Sequence, residues 1–210
     1  MNNFVELPVS SKSTARRNKV HGVGINDADY IVSPIVNGKK QFCPYYLMWK
    51  RMLQRCYDPV YQARQPTYIE CTVDSEWFIF STFRRWMETQ DWQGCQLDKD
   101  IIHPGNKEYS ATSCCFVPAK LNSLLTMCTV EEGELPLGVH WSTKDNKYIS
   151  SCNINGKLKY LGAYRSIKKA SKAYIDFKVN HVRNKIDRLP IHIKYGFYKH
   201  LEIMKREYAQ

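Results

Sequence analysis

Three short runs of alternating residues near the C-terminus constrain the fold of this chain more than any other feature. They lie at 138–142, 148–154 and 157–164, and a Lys-Asp-Asn turn and an Asn-Gly turn separate them. Period-two alternation with tight turns between the runs is typical of antiparallel strands. A helical pattern follows from Ser166 to about Lys185. The sequence therefore predicts a three-stranded antiparallel sheet packed on a helix, with one sheet face left open.

Positive charge is concentrated in this same part of the sequence. Residues 138–210 hold 16 Lys and Arg against 5 Asp and Glu, whereas residues 1–137 hold 15 of each. The formal net charge of +11 therefore lies entirely in the last third. A one-sided basic field attracts a polyanion and releases counterions from a phosphate backbone. We expect double-stranded DNA as the partner; a solvated basic helical tail is the alternative that charge alone leaves open.

The same segment resembles a known family of DNA-binding domains. Its matching features are Gly138–Val139, the turn Asn155-Gly156-Lys157, the motif Leu161-Gly162-x-Tyr164, and a helix with Ala170, Ala173 and Tyr174. They resemble the APETALA-type (ethylene-response-factor) domain, in the short form carried by many phage and mobile-element endonucleases. The resemblance implies that the open face contacts DNA. The residues it assigns to DNA are His140, Ser142, Lys144, Lys147, Ser151, Asn153, Lys157 and Tyr160.

The assigned residues also bear on specificity. The face is mostly small and polar apart from Leu158 and Tyr160, so the target sequence stays open. Lysines at the turns would bind phosphates without reading bases. Other strand residues are expected to pack toward the helix: Val139, Trp141, Tyr148, Cys152 and Leu161. A small protein-binding sheet is the alternative.

A second pattern lies earlier in the chain, in the segment QLDKDIIHPGNKEYS at 96–110. A strand is predicted from the apolar residues Leu97, Ile101 and Ile102. A turn is predicted at 103–106 and a return strand at 113–117. Pro118 fits the first turn of a following helix, AKLNSLLTM. The predicted order is strand, turn, strand and helix.

This segment and its flanks resemble phage HNH-type homing endonucleases. The ordered residues are Trp49, Met52, Arg55, Cys56, Tyr68, Cys71, Glu76, Trp77, Phe80, Phe83, Leu97-Asp98-Lys99-Asp100, Gly105-Asn106, Tyr109, Cys115-Phe116-Val117 and Asn122. The resemblance implies a ββα site that binds Mg²⁺ or another divalent cation. It makes Asp98 and Asn122 the metal ligands and Asn106 the residue that orients the hairpin. Lys99 and Asp100 complete the implied catalytic set.

Lys99 stands where the resemblance requires a histidine base. A lysine ammonium is charged at neutral pH and cannot take a proton from water, although it can bind a phosphate. Three interpretations follow. The site is a nuclease that uses His103 or Asp100 as its base, a DNA-binding descendant with Lys99 on the phosphate backbone, or a hairpin with a structural role only.

The rest of the sequence predicts the organisation around these two segments. Residues 1–20 are polar and aperiodic and predict a flexible arm. Residues 21–128 would form the HNH-like module, 129–137 an acidic linker, and 138–210 the basic domain. A last helix is expected within 190–210.

Local signals within the HNH-like module predict its frame. An Asn-Gly pair at 37–38 indicates a hairpin, and the alternating residues at 67–73 indicate a strand. Helical periodicity covers 45–56 and a longer segment at 76–90 that Ser75 would cap. The aromatic residues of these helices are predicted to form a core rather than a base-stacking platform: Trp49, Trp77, Phe80, Phe83 and Trp86.

The cysteines and the termini indicate the compartment. Eight cysteines without a secretory signal predict free thiols in a reducing cytoplasm, here that of a bacterial host for a phage-encoded protein. Zinc binding by Cys56, Cys71, Cys114 and Cys115 is not expected, because no C-x-x-C pair is present. No run of apolar residues predicts a membrane span.

Together these patterns predict an α+β protein, an HNH-like ββα module followed by a three-stranded antiparallel sheet packed on a helix. The predicted function is phage-type binding of double-stranded DNA, with cleavage lost because Lys99 replaces the base. Two alternatives stay open. One is an active divalent-metal-dependent HNH endonuclease, and the other is an inhibitor of a host protein built on the same scaffold.

Overall fold

The computed structural model describes residues 4–125 and 135–208 of the chain. The chain divides into two compact units, Met1–Phe116 and Val117–Gln210. Most of the predicted linker at 129–137 lies outside the described residues. Both units combine helices with short strands, as predicted for the α+β class. None of the helices in the described ranges has the length and apolar character needed to cross a lipid bilayer.

The first unit is built from short elements. In chain order these are α1 Ser11–Thr14, β1 Ile35–Val36, β2 Lys39–Lys40, α2 Pro44–Tyr57, α3 Pro59–Arg64, β3 Thr72–Val73, α4 Phe80–Glu88, β4 Cys95–Asp98, β5 Glu108–Tyr109 and β6 Cys115–Pro118. Two 3-10 turns, Pro66–Tyr68 and Ser75–Phe78, lie on either side of β3. Strand β1 pairs with β2, β3 pairs in parallel with β5, and β4 pairs with β6.

The core of the first unit is aromatic, as its helical periodicity predicted. Trp49, Trp77, Phe80 and Phe83 are at most 2% exposed. The indole Nε1 of Trp49 donates to the carbonyl oxygen of Trp77 at 2.7 Å, so the polar atom of a buried ring has a partner. Trp86 is half-buried against this group, with its ring 4.6 Å from that of Trp77. The prediction of a core rather than a stacking platform is confirmed.

The predicted helix at 76–90 and the strand at 67–73 are both interrupted. Asp74, rather than Ser75, accepts from Glu76 N and begins a 3-10 turn. Ile79 is extended because it forms a parallel bridge with Ile25, and α4 begins only after it. Pro66 starts the other 3-10 turn, which shortens the strand to Thr72–Val73. Long-range backbone pairing therefore overrides local periodicity here.

The N-terminal segment is attached to the first unit where the structure describes it. Backbone bonds join Val9 N to Asp29 O and Ile31 N to Leu7 O. The Arg17 guanidinium donates to three carbonyl oxygens, those of Asn26, Ala28 and Tyr30. Residues 7–17, predicted as part of a flexible arm, are thus tied to the segment that follows. The hairpin predicted at 37–38 is present as β1 and β2.

The predicted strand–turn–strand–helix segment is only partly reproduced. Strand β4 ends at Asp98, so Ile101 and Ile102 lie outside it, and its partner β6 is followed by helix α5 at Ala119–Leu125. Strand β5 lies between them in sequence and pairs with β3 instead. Pro118 ends β6 rather than starting the helix. The ββα module of the resemblance stays a prediction.

The second unit follows the predicted pattern closely. Its sheet consists of β7 Val139–Ser142, β8 Lys147–Ile154 and β9 Lys157–Tyr164, in that order and antiparallel. Helix α6 spans Ile167–Ile186 and α7 spans Ile191–Tyr208. Gly138 precedes the sheet with φ +76°, and a Cβ there would overlap the Tyr174 ring of α6. Helix α6 therefore packs directly against one face of the sheet.

Candidate functional site

The end of β4 is shaped by the side chain of Asp98. Its Oδ1 accepts from the backbone N–H groups of Asp100 at 2.9 Å and Ile101 at 3.0 Å. An Asp that bonds to the backbone two and three residues on forms a turn that competes with a strand. This turn explains why the apolar run through Ile102 does not continue the strand.

Lys99 and Asn106 bind each other across the loop that follows. The ammonium Nζ of Lys99 donates to Asn106 O at 2.9 Å and lies 3.4 Å from Asp100 Oδ2. The Asn106 amide donates back to Lys99 O at 2.7 Å and also to Glu108 O at 2.6 Å. Lys99 is 8% exposed, and its ammonium lies 6.0 Å from the centre of the Tyr109 ring. The basic side chain is therefore part of the interior of the loop.

Sequence reasoning did not identify Arg55 as a support for this loop. Its guanidinium donates to Leu97 O at 3.4 Å and to the Tyr109 hydroxyl at 3.3 Å, and it lies over the Tyr68 ring. Strand β4 and strand β5 are thereby joined to helix α2. The sequence feature that could have indicated this role is the position of Arg55 on the predicted helix, one turn after the buried Met52 and next to Cys56.

Burial and a neighbouring carboxylate shift the titration of Asp98. Burial is the larger cause and the Asp100 carboxylate the second, and together they raise the pKa of Asp98 to about 6. The two backbone donors at Oδ1 oppose the shift but do not cancel it. A carboxyl with this pKa is still mostly ionised at neutral pH. The Lys99 ammonium lies beside the second carboxylate, Asp100, where it takes the place of a cation.

The remaining predicted catalytic residues are distributed between the units. His103 is exposed, and its carbonyl oxygen accepts from Asn106 N. Asn122 lies on α5 in the second unit, whereas Asp98 lies in the first. Within residues 4–125 and 135–208, no three His, Cys, Asp or Glu side chains form a metal-binding group. The catalytic and metal assignments stay predictions.

The cysteines in the described ranges have free thiols. Six of these seven are buried, and Cys95 is half-buried. Burial raises the pKa of the Cys56 thiol to about 12, which keeps the thiol protonated at neutral pH. They serve as small apolar residues of the two cores.

The sheet of the second unit has one exposed face, opposite α6. Antiparallel register places His140, Ser151, Asn153, Leu158 and Tyr160 on this open face. Leu158 is 71% exposed and Tyr160 is 62% exposed, and His140 and Asn153 are exposed as well. Exposed apolar and aromatic side chains in a row on one strand are unusual without a partner.

Two of the residues assigned to DNA make side-chain contacts within the turns of the sheet, and a third is buried. Ser142 Oγ donates to Asp145 Oδ2 at 2.8 Å and accepts from Asp145 N, which stabilises the β7–β8 turn. Asn153 Oδ1 accepts from Gly156 N at 2.9 Å in the β8–β9 turn. Ser151 is only 8% exposed, so it offers little surface for a base contact. Ser151 is buried because it lies on the central strand β8, and alternation in the sequence alone did not show which strand is central.

The lysines of the sheet are divided between its two faces. Lys144 lies exposed in the β7–β8 turn, and Lys147 shares the open face with His140. Lys157 pairs with Ile154 and therefore projects toward the side that α6 covers. Trp141 and Tyr148 also lie on that side but pack on each other, with ring centres 4.7 Å apart and Trp141 43% exposed. The expectation that they pack under the helix is thus only partly met.

No protein-family model, no curated protein and no solved structure matches this chain. The resemblance to HNH-type and APETALA-type proteins therefore rests on the quoted residues alone.

Proposed function

We propose that this chain binds double-stranded DNA through the open face of the second unit. In this proposal it is a phage-type protein related to HNH homing endonucleases and APETALA-type domains, and it has lost cleavage. One observation carries the proposal. A three-stranded sheet covered by α6 on one face exposes Leu158, Tyr160, His140 and Asn153 on the other, within the part of the chain that holds the whole positive excess.

The dimensions and chemistry of this face suit a DNA major groove. The groove admits a ribbon of two or three β-strands, and its base edges offer donors, acceptors and thymine methyl groups. Leu158 and Tyr160 supply apolar contact, and His140 and Asn153 supply hydrogen-bonding groups. Lys144 and Lys147, at one end of the sheet, supply phosphate contacts that do not depend on sequence.

The proposed loss of cleavage is supported by the loop after β4. An HNH-type mechanism needs a base at the position of Lys99 and an ionised metal ligand at Asp98. The Lys99 ammonium is instead bonded to Asn106 O and lies beside the Asp100 carboxylate. A charged lysine held in this way cannot act as the base, which supports the loss of cleavage.

The binding proposal is tested by a salt series on labelled duplex DNA. Wild-type protein should bind with an affinity that falls steeply as salt rises, since each phosphate contact adds about one to the slope of log K against log [salt]. Lys144→Ala combined with Lys147→Ala should reduce that slope by about two. The control removes the same charge from the first turn of α6, with Lys168→Ala and Lys169→Ala, both exposed. Equal effects of the two pairs, or no binding by wild type, would contradict the proposal.

Loss of cleavage is tested separately on supercoiled plasmid with Mg²⁺ or Mn²⁺. The plasmid should stay intact at concentrations where wild-type protein binds duplex DNA. Nicking or cutting that disappears in both Asp98→Ala and Asn122→Ala would establish the nuclease instead, and would leave the binding proposal standing.

A further inference from the structure

A cluster of basic residues lies on the side of the sheet opposite the open face. It consists of Lys159 on β9 and Lys178, His181 and Lys185 on α6, and the three lysines lie near enough to His181 to act on its charge. Lys159 and His181 both lie against the ring of Phe177. The Lys159 ammonium lies 4.7 Å from the centre of that ring, and the His181 ring stacks on it at 6.0 Å with an interplanar angle of 16°. Cys152 pairs with Lys159 across the sheet, which fixes the lysine on the helix side. We call these four residues the α6–β9 cluster.

The charge balance of α6 makes this cluster strongly positive. The helix contains six Lys and Arg and one Asp, and that residue, Asp176, pairs with Lys172 at 3.0 Å. The charges that act on His181 are those of Lys185, Lys159 and Lys178. Together with burial they lower the pKa of His181 below its usual value. An anion placed here would therefore meet several cations at once.

Lys178 is the buried member of the cluster. It is 9% exposed, and its ammonium lies 3.5 Å from the Tyr174 hydroxyl. The other three members are more exposed: Lys159 and Lys185 are exposed, and His181 is half-buried. An anion that approaches from solvent would therefore meet Lys159, His181 and Lys185.

The position of the cluster indicates which anion it binds. Strand β9 is an edge strand of the sheet, with Leu158 and Tyr160 on its open side and Lys157 and Lys159 on its helix side. A duplex that lies on the open face brings its phosphates to this edge. We propose that the phosphate backbone of the bound DNA passes the β9 edge and that the α6–β9 cluster binds it on the helix side. This inference rests on the proposed DNA binding, and it names a second contact surface.

A charge-matched pair of variants tests the cluster. Lys159→Ala combined with Lys185→Ala, both exposed in wild type, should reduce the salt slope by about two and weaken binding by about tenfold. Lys168→Ala with Lys169→Ala is again the control. If wild type binds duplex DNA and the cluster pair behaves as the control does, the cluster inference fails while the open-face proposal stands. If wild type binds no duplex, both fail.

A further measurement separates phosphate contact from a structural role. Proton NMR of His181 should show its pKa rising when duplex is added, because phosphate favours the imidazolium. Exposed His192 on α7 serves as the internal reference. An equal rise with inorganic pyrophosphate at the same phosphate concentration would contradict the assignment to DNA, as would no rise with duplex.

Discussion

Lys99 and Asn106 form a reciprocal pair, in which each side chain donates to the backbone carbonyl oxygen of the other at 2.9 and 2.7 Å. The loop between them is closed by both bonds, and the ammonium is held inside it. A residue that could have contacted phosphate is thus used to build the loop.

Asn106→Ala should destabilise the first unit. The substitution removes the amide bonds to Lys99 O and Glu108 O and leaves two carbonyl oxygens without these donors. We expect the free energy of unfolding to fall by about 1–3 kcal/mol, measured by denaturant titration. Asn18→Ala, at an exposed position in the same unit, is the control and should change it little. An unchanged Asn106→Ala protein would show that the loop does not depend on this amide.

Lys99→Met should reduce stability without reducing DNA affinity. The substitution keeps the apolar stem but removes the donor to Asn106 O, at an expected cost of about 1–2 kcal/mol in unfolding free energy. Lys107→Met removes a charge from the exposed part of the same loop and controls for net charge. A loss of affinity and salt slope specific to Lys99→Met would instead place its ammonium on the DNA backbone, as the second sequence interpretation holds.

The Asp98 carboxyl gives the stability of the first unit a pH dependence. Its folded-state pKa of about 6 exceeds the ordinary value of 3.8. Between these two pH values the folded protein holds a proton on Asp98 that the unfolded chain has lost. The ionised carboxylate therefore destabilises the folded protein, and this destabilisation is complete above pH 6. It disappears as the carboxyl becomes protonated between pH 6 and pH 3.8.

Asp98→Asn tests that pH dependence. The amide keeps an oxygen acceptor for Asp100 N and Ile101 N but cannot ionise. Relative to wild type, it should raise the free energy of unfolding at pH 8 by on the order of 2 kcal/mol, with a much smaller gain at pH 4. The titrations are run in EDTA, with exposed Asp91→Asn as the control. A gain that does not vary between the two pH values would refute the shifted pKa.

Gly138→Ala should destabilise the second unit more than Gly156→Ala. Both glycines have positive φ, +76° and +80°, so each alanine costs about 1 kcal/mol of backbone strain. At Gly138 the new Cβ also overlaps the buried Tyr174 ring, whereas nothing lies within 4 Å at Gly156. We expect the Gly138 variant to lose at least about 2 kcal/mol of unfolding free energy. Equal losses would contradict the close approach of α6 to the sheet.

The architecture of the second unit was predictable because its signals are local. Asn155 and Gly156 have positive φ and make the predicted turn, and alternation with tight turns gave the three strands within a residue. Which side of β9 each lysine occupies also follows from alternation, yet the sequence reading grouped Lys157 with the open face. The burial of Ser151 and Lys178 depends on tertiary packing and could not be read from spacing.

The first unit was less predictable because its short elements are fixed by distant partners. Strand β5 pairs with β3, about 36 residues away in sequence, and Ile25 pairs with Ile79. Such pairings leave no periodic trace in a strand of two residues. The end of β4 was in principle predictable, since an Asp side chain can accept from backbone N–H groups two and three residues on, as Asp98 does, but the apolar pair Ile101 and Ile102 favoured a longer strand.

Binding of DNA by the open face of the sheet is tested most directly by one charged residue placed on that face. Tyr160→Glu puts a carboxylate on the open face at a position 62% exposed in wild type, and Ile191→Glu puts one on α7 of the same unit at a position 78% exposed. The equilibrium dissociation constant of each variant for a labelled duplex is measured at fixed salt. The account predicts that Tyr160→Glu weakens binding by at least about tenfold and Ile191→Glu by no more than about twofold. Equal effects of the two variants would contradict it.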